Sequence, residues 1–203
     1  LTDSQLVDTS LNSSELLELS LPFRNMGLSG RFTYARNQKY FVEFNFGYNG
    51  SERFAKNERW GFFPSAALGW MVSDEPFMKK AEDVITKLKL KASYGLVGND
   101  NLGNNVDRFF YLSVISFDGN GYTTGEEFNN YRNGVSISRY GNNQITWETA
   151  KKFNFGLELG LFNDLDLEVD VFLEKRENIL ANRVVPSSLG LQSDVRANIG
   201  AAE

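Results

Sequence analysis

The sequence predicts an all-β chain: antiparallel, up-and-down strands forming a segment, about six strands, of a larger transmembrane β-barrel with long extracellular loops. Three observations carry this expectation. Apolar and polar residues alternate at period two in six separate segments. Each segment is about 9–12 residues, the length a tilted strand needs to cross a bilayer. The connections between segments alternate between short and long, as in a meander with one trimmed end and one elaborated end.

The first segment, 25–34, has Met26, Leu28, Phe32 and Tyr34 on one face and Asn25, Ser29, Arg31 and Thr33 on the other. In the second, Tyr40, Val42, Phe44, Phe46 and Tyr48 alternate with Phe41, Glu43, Asn45 and Gly47. Phe62, Ala66, Leu68, Trp70 and Val72 form the apolar set of the third. In the fourth, Leu88, Leu90, Ala92, Tyr94 and Leu96 alternate with Lys87, Lys89, Lys91, Ser93 and Gly95. Phe153, Phe155, Leu157, Leu159 and Leu161 make the fifth, and Leu165, Leu167, Val169, Val171 and Leu173 the sixth. Residues 35–39 and 162–164 are short connections, and a medium one near 73–86 holds a helical turn at Pro76–Ala81. The long connections are 49–59, 98–148 and the segment from 178 onward. The Asn- and Gly-rich 98–148 stretch exceeds what a compact domain tolerates without a function. Tyr34, Tyr40 and Trp70 gather near the short turns, where a membrane-interface girdle belongs. Alternation alone also fits a soluble sandwich of two sheets packed on their apolar faces; what lies against the other face separates the two.

Composition narrows the chemistry. A chain of 203 residues, 41% hydrophobic and 14% aromatic, is not a disordered solvating segment. Its net charge of −5 opposes general nucleic-acid binding. Histidine and cysteine are both absent, which removes disulfides, thiolate nucleophiles, Cys/His zinc sites and Ser-His-Asp triads. No run of 18 apolar residues marks a transmembrane helix. The chain opens at Leu1 without methionine and stops at Glu203 within a polar stretch, so it is expected to be a piece of something longer.

Pairing Tyr34 with Tyr40 across the first turn sets Arg31 opposite Glu43 and Ser29 opposite Asn45. It also sets Phe32 against Val42 and Leu28 against Phe46. The same logic sets Glu158 opposite Asp170, two like charges that need a cation, and Lys87, Lys89 and Lys91 are the candidates. Arg31, Glu43, Lys87, Lys89, Lys91, Glu158 and Asp170 are thus expected to form a lumen-side charge network of structural character. Met26, Phe44, Leu90, Leu157 and Val169 should face lipid. Asp166, Glu168, Asp170 and Glu174 share one strand face and invite comparison with paired glycosidase carboxylates. The spacing Glu168-x-Asp170-x-x-x-Glu174 nevertheless carries one residue more than the E-x-D-x-x-E of jelly-roll glucanases. Gly119-x-Gly121-x-x-x-Gly125 departs from the dinucleotide fingerprint and reads as a flexible loop. The aromatics of 98–148 suit a sugar or peptide ligand, a protein lid, or self-packing within the loop. Arg108, Tyr111, Tyr122 and Trp147 are the candidates for substrate or lid contact.

Four phrases, in order, then point to one family: GRFTYARNQKYFVEFNFGYNGSERF (30–54), RWGFFPSAALGWMVSDEPFM (59–78), LKLKASYGLVGND (88–100) and ITWETAKKFNFGLELGLFNDLDLEVDVF (145–172). They resemble the C-terminal barrel of SusC/RagA-type TonB-dependent outer-membrane transporters. The tail VVPSSLGLQSDVRANIGAAE (184–203) resembles that family's extracellular loop before the next strand. The resemblance implies a plugged barrel of about 22 strands that imports oligosaccharides or peptides, with no enzymatic role and no cofactor. It implies a SusD-like surface lipoprotein as lid, a TonB complex engaged through N-terminal parts outside this chain, and outer-membrane lipid around the wall. The expected division is 1–23 extracellular loop, 24–97 strands and turns, 98–147 long extracellular loop, 148–176 hairpin, and 177–203 extracellular loop, with no plug. A secreted β-sandwich glycan-binding module or glycoside hydrolase is the alternative from another class.

Overall fold

The computed structural model describes residues 22, 24–101 and 109–203. Seven strands form one antiparallel sheet in the order β1-β2-β3-β4-β7-β8-β9, and β5 and β6 pair as a separate ribbon. The strands are β1 (Asn25–Arg36), β2 (Tyr40–Ser51), β3 (Trp60–Met71), β4 (Ile85–Asn99), β5 (Val114–Thr124), β6 (Asn130–Arg139), β7 (Glu148–Leu161), β8 (Leu165–Arg183) and β9 (Val195–Ala202). The sheet is open: β1 and β9 are its two edges. No helix among the described residues is long and apolar enough to cross a membrane.

The six segments read from periodicity are β1–β4, β7 and β8. Three strands were not expected. The 98–147 connection is not an unstructured loop, since it contains the β5–β6 ribbon, and Gly119 and Gly121 lie within β5. Register shifts between Ser116 and Tyr122 break its period-two signal. The 177–203 segment likewise holds the end of β8 and all of β9, an eight-residue strand whose apolar set, Val195, Ala197, Ile199 and Ala201, is short and half alanine. The turn expected at Pro76–Ala81 is a 3-10 helix, preceded by another at Val72–Asp74.

Both tight hairpins pair two residues away from the register expected from sequence. In β1–β2, Tyr34 faces Val42, Phe32 faces Phe44 and Arg31 faces Asn45. In β7–β8, Glu158 faces Glu168, and Asp170 faces Gly156. The cause lies in the turns. Asn37 and Gln38, like Phe162 and Asn163, all have positive φ, and Lys39 N–H and Asp164 N–H close the turns onto Arg36 and Leu161 carbonyls. Two left-handed central residues match the twist of the flanking strands, and they let pairing run to Arg36↔Tyr40 and Leu161↔Leu165. Because the offset is even, every side chain keeps its face. A non-glycine residue in the left-handed region costs about 1–2 kcal/mol, and the added entropy of glycine takes back roughly half. Gln38→Gly is therefore expected to stabilise by about 0.5–1 kcal/mol, read as a higher urea midpoint of the full-length protein in detergent.

The two faces differ sharply. One row running across the sheet is Phe32, Phe44, Ala66, Tyr94, Phe153, Leu173; a parallel row holds Trp70, Leu90, Leu157 and Val169. Most of these residues are exposed, and Met26 on the same face retains 70% of its accessible surface. No second sheet covers them among the described residues, which is the reverse of a sandwich. Tyr40 and Trp70 mark the short-turn end of this face, and Tyr48 stacks on Trp60 (4.8 Å, 13°) at the other. From Trp60 to Trp70 the strand runs about 33 Å, and at a tilt of ~40° its rise is about 25 Å, the height of an outer-membrane apolar band.

At the short-turn end, Tyr40 Oη donates to Glu75 (2.6 Å), Trp70 Nε1 donates to the same oxygen (3.2 Å), and Lys39 Nζ lies 3.8 Å away. These contacts, the tyrosine hydroxyl foremost, hold the Glu75 carboxyl below its usual 4.5. A carboxyl depressed in the folded state adds stability above its unfolded value, and that stability is lost as pH falls through the folded one. Glu75→Gln should therefore flatten the acid limb of a stability-versus-pH curve below about pH 4.5 and leave the neutral limb's slope unchanged. Thermal melts of the full-length protein in detergent would show it.

Candidate functional site

The inner face is a charged wall. Lys87, Lys89 and Lys91 stand on one side of β4 because strand side chains repeat every second residue. All three converge on Glu158 of β7, at 2.8, 3.9 and 2.8 Å respectively. Lys91 also reaches Glu168 at 2.7 Å, so one ammonium bridges the two carboxylates that face each other across β7–β8. Glu168 takes the place that the expected register had given to Asp170. Asp170 instead sits across from Gly156, on the same wall, where glycine leaves room for its carboxylate. Arg31 and Glu43 are diagonal rather than directly opposite, and they still form an ion pair of 2.6 Å, with Asn45 Nδ2 donating to Glu43 at 2.8 Å. Strand parity would have found Glu168; only the turn geometry could have exchanged it for Asp170.

Between these charges the wall is dented. Ala67, Gly69 and Ser93 are small, and a concavity of about 530 Å³ opens over them, rimmed by Thr33, Phe41, Glu43, Lys89, Lys91 and Asp170. Lys89 Nζ lies 5.7 Å from the Phe41 ring centre. Two of the four carboxylates that invited a hydrolytic reading are tied to cations: Glu168 to Lys91, and Glu174 to Lys152 (3.2 Å) and Arg176 (2.6 Å). Among the described residues, no three carboxylates are grouped so as to hold a metal ion.

At the long-connection end the four mouth candidates separate. Arg108 lies outside the described residues. Tyr122 is exposed on β5, opposite Arg132. Tyr111 is half-buried, edge-on to Phe109 at 5.9 Å. Trp147 is buried, not displayed: its ring lies 5.2 Å from both Phe54 and Phe63, and Nε1 donates to the Arg59 carbonyl at 3.1 Å. Phe54, Phe110, Ile145 and Trp147 form a buried cluster with Phe63 and Leu180 against it. The Phe110 ring has guanidinium groups of Arg139 and Arg196 at 5.8 and 5.3 Å. Of the three readings open for the loop aromatics, self-packing accounts for Phe109, Phe110 and Trp147. Phe117, Tyr122, Phe128 and Tyr131 remain exposed on the ribbon and its tip.

Comparison with known proteins places this geometry. The family model for the TonB-dependent receptor-like β-barrel matches residues 17–203. TonB-dependent receptor P39 of Formosa agariphila is 34% identical over 177 residues, covering 87% of this chain and 16% of the receptor. TonB-dependent receptor SusC of Bacteroides thetaiotaomicron is 31% identical over 180 residues, 86% of this chain and 17% of SusC. The RagAB peptide importer in its open-open state superposes with a TM-score of 0.70 at 25% identity, over 87% of this chain and 18% of that one. The chain thus spans about a sixth of the length of the curated relatives it matches.

Proposed function

The chain belongs to the TonB-dependent receptor-like β-barrel family, and from that premise we propose that it is part of the wall and mouth of an outer-membrane importer. One observation of the fold carries the reading: a single sheet apolar on one side, charged on the other, with aromatic residues at both limits of the apolar band. That is the cross-section of a wall between lipid and a wet lumen. The strands cross the membrane several times, the short turns face the periplasm, and 49–59, 98–147 and the β8–β9 connection face outward. The cargo is an oligosaccharide or a peptide, captured between these loops and a SusD-like lipoprotein lid. A TonB complex engaged by parts beyond this chain then drives release inward. The likeness to SusC and to a peptide importer supports this reading, as does the family's character as receptors rather than enzymes. Within it, Arg31–Glu43 and the Lys87/Lys89/Lys91–Glu158 group, with Asp170 beside them, stiffen the lumen wall, and Tyr111 and Tyr122 belong to the mouth.

The test is deletion of the full-length gene in its own host. Growth on oligosaccharides or peptides as sole nutrient should fail, return with the gene, and fail again when the proton-motive force is dissipated. Recovery of the protein in buffer washes without detergent, or glycan hydrolysis by the purified protein, would overturn the proposal.

A further inference from the structure

The β3–β4 boundary is laddered over only part of its length. Backbone pairing runs from Ser65↔Gly95 to Met71↔Lys89 and stops there, although β3 continues to Trp60 and β4 to Asn99. Beyond Ser65 each strand keeps its other neighbour: β3 pairs with β2 up to Gly50↔Trp60, and β4 with β7 up to Asn99↔Glu148. The sheet therefore splits near its long-connection end into a β1–β2–β3 flap and a β4–β7–β8–β9 body. Pro64, which has no N–H to offer a ladder, sits at the fork.

Side chains fill the split. The Phe63 ring lies over both Gly61 on β3 and Gly98 on β4, close enough that neither position has room for a Cβ. Trp147 packs on Phe63 edge-on at 5.2 Å and bonds back to the Arg59 carbonyl on the flap side. Arg53 Nη1 reaches the Asp100 carbonyl (3.2 Å) and Asn101 Oδ1 (3.1 Å) on the body side. On the opposite face, Phe46 and Phe62 (6.2 Å) and the Tyr48–Trp60 stack cover the flap. An open pair of strand edges is costly in hydrocarbon, so a split reaching below Trp60 persists only if side chains seal it.

We propose that this split is a latched seam, a conformational device at the mouth. Phe63 is its latch and Arg53 its strap, and opening it swings the flap with the 52–59 connection away from Asp100, Asn101 and the 109–147 stretch. The seven laddered pairs from Ser65 to Met71 are the hinge. Side-chain attachments through Phe63, Trp147, Arg53 and the buried Phe54 replace the backbone bonds that elsewhere make a barrel wall rigid, so this stretch can part without breaking a ladder.

The experiment is double electron–electron resonance on the full-length protein in lipid nanodiscs, in a background otherwise free of cysteine. Labels at Lys56 and Asn143 straddle the seam; labels at Gln38 and Asp164 straddle the laddered end. The native sequence should give one narrow Lys56–Asn143 distance. Phe63→Ala should broaden it or add a longer population, Phe63→Leu should restore it, and Gln38–Asp164 should not move. A Lys56–Asn143 distribution left unchanged by Phe63→Ala would overturn the seam. Should that variant fail to assemble, Arg53→Gln is read by hydrogen exchange. Amides of 59–63 and 96–101 should exchange at least tenfold faster, with 65–71 unaltered. Equal acceleration of both regions, or none, would overturn it as well.

Discussion

Trp147→Ala is expected to destabilise the protein by about 3–5 kcal/mol, the largest loss from any single truncation in the described chain. The indole is one of few buried large side chains, it packs against Phe54 and Phe63, and it comes close to Gly61. Its removal leaves a cavity between three segments that no backbone ladder holds together. It also removes the indole's hydrogen bond to the Arg59 carbonyl, which then keeps only the Ser51 N–H at 3.1 Å. Trp147→Phe keeps most of the packing and loses only the hydrogen bond, so it should cost about 0.5–1.5 kcal/mol. Urea unfolding of the full-length protein, followed by gel mobility of folded against unfolded barrel, separates the two. A Trp147→Ala variant with native stability and impaired uptake would return the ring to the role of an exposed ligand platform.

Leu157→Arg should be the most damaging change on the outer face, at about 2–4 kcal/mol for a cation near the bilayer midplane. Leu157 sits between Leu90 and Val169 in the apolar row, with no acidic partner on that side. Its neighbour Glu158 points the other way, into the three lysines. Glu158→Gln keeps a polar side chain among lysines that face a wet space, where such ion pairs are worth about 0–1 kcal/mol each, so its effect should be smaller. The measurement is the folded fraction recovered from outer membranes. Equal losses for Leu157→Arg and Glu158→Gln would mean that the apolar face does not meet lipid.

The two faces were legible in the sequence because parity survives any even error in register. The register itself was not. Gln38 and Phe162 occupy left-handed positions with no glycine to announce them, and only Asn37 and Asn163 hint at such turns. The β5–β6 ribbon escaped because its bulges scatter the alternation, and β9 because its alternation spans only eight residues and half of its apolar set is alanine. Of the wall charges, Lys87, Lys89, Lys91 and Glu158 could be named from β4 and β7 alone, whereas Asp170 gave up its expected place to Glu168 in the shifted hairpin. Trp147 looked like a displayed aromatic because burial at a mouth depends on which distant loops meet there. Phe54 and Phe63 lie more than 80 residues away in sequence, and no local pattern connects them to it.

The insertion between β4 and β7 has one further consequence. These two strands are neighbours along their whole paired length, yet the chain leaves the sheet after Asn99 and returns at Glu148. Lengthening a connection is cheap, at about 0.6 kcal/mol per doubling. The excursion carries its own ribbon and is anchored back to the sheet through a small core shared with Phe54, Phe63 and Leu180. Sequence change within this one connection can therefore reshape that end of the sheet, while the strands on either side keep the same partners. Wall and end surface are in this sense separately variable, and the division runs between Asn99 and Glu148.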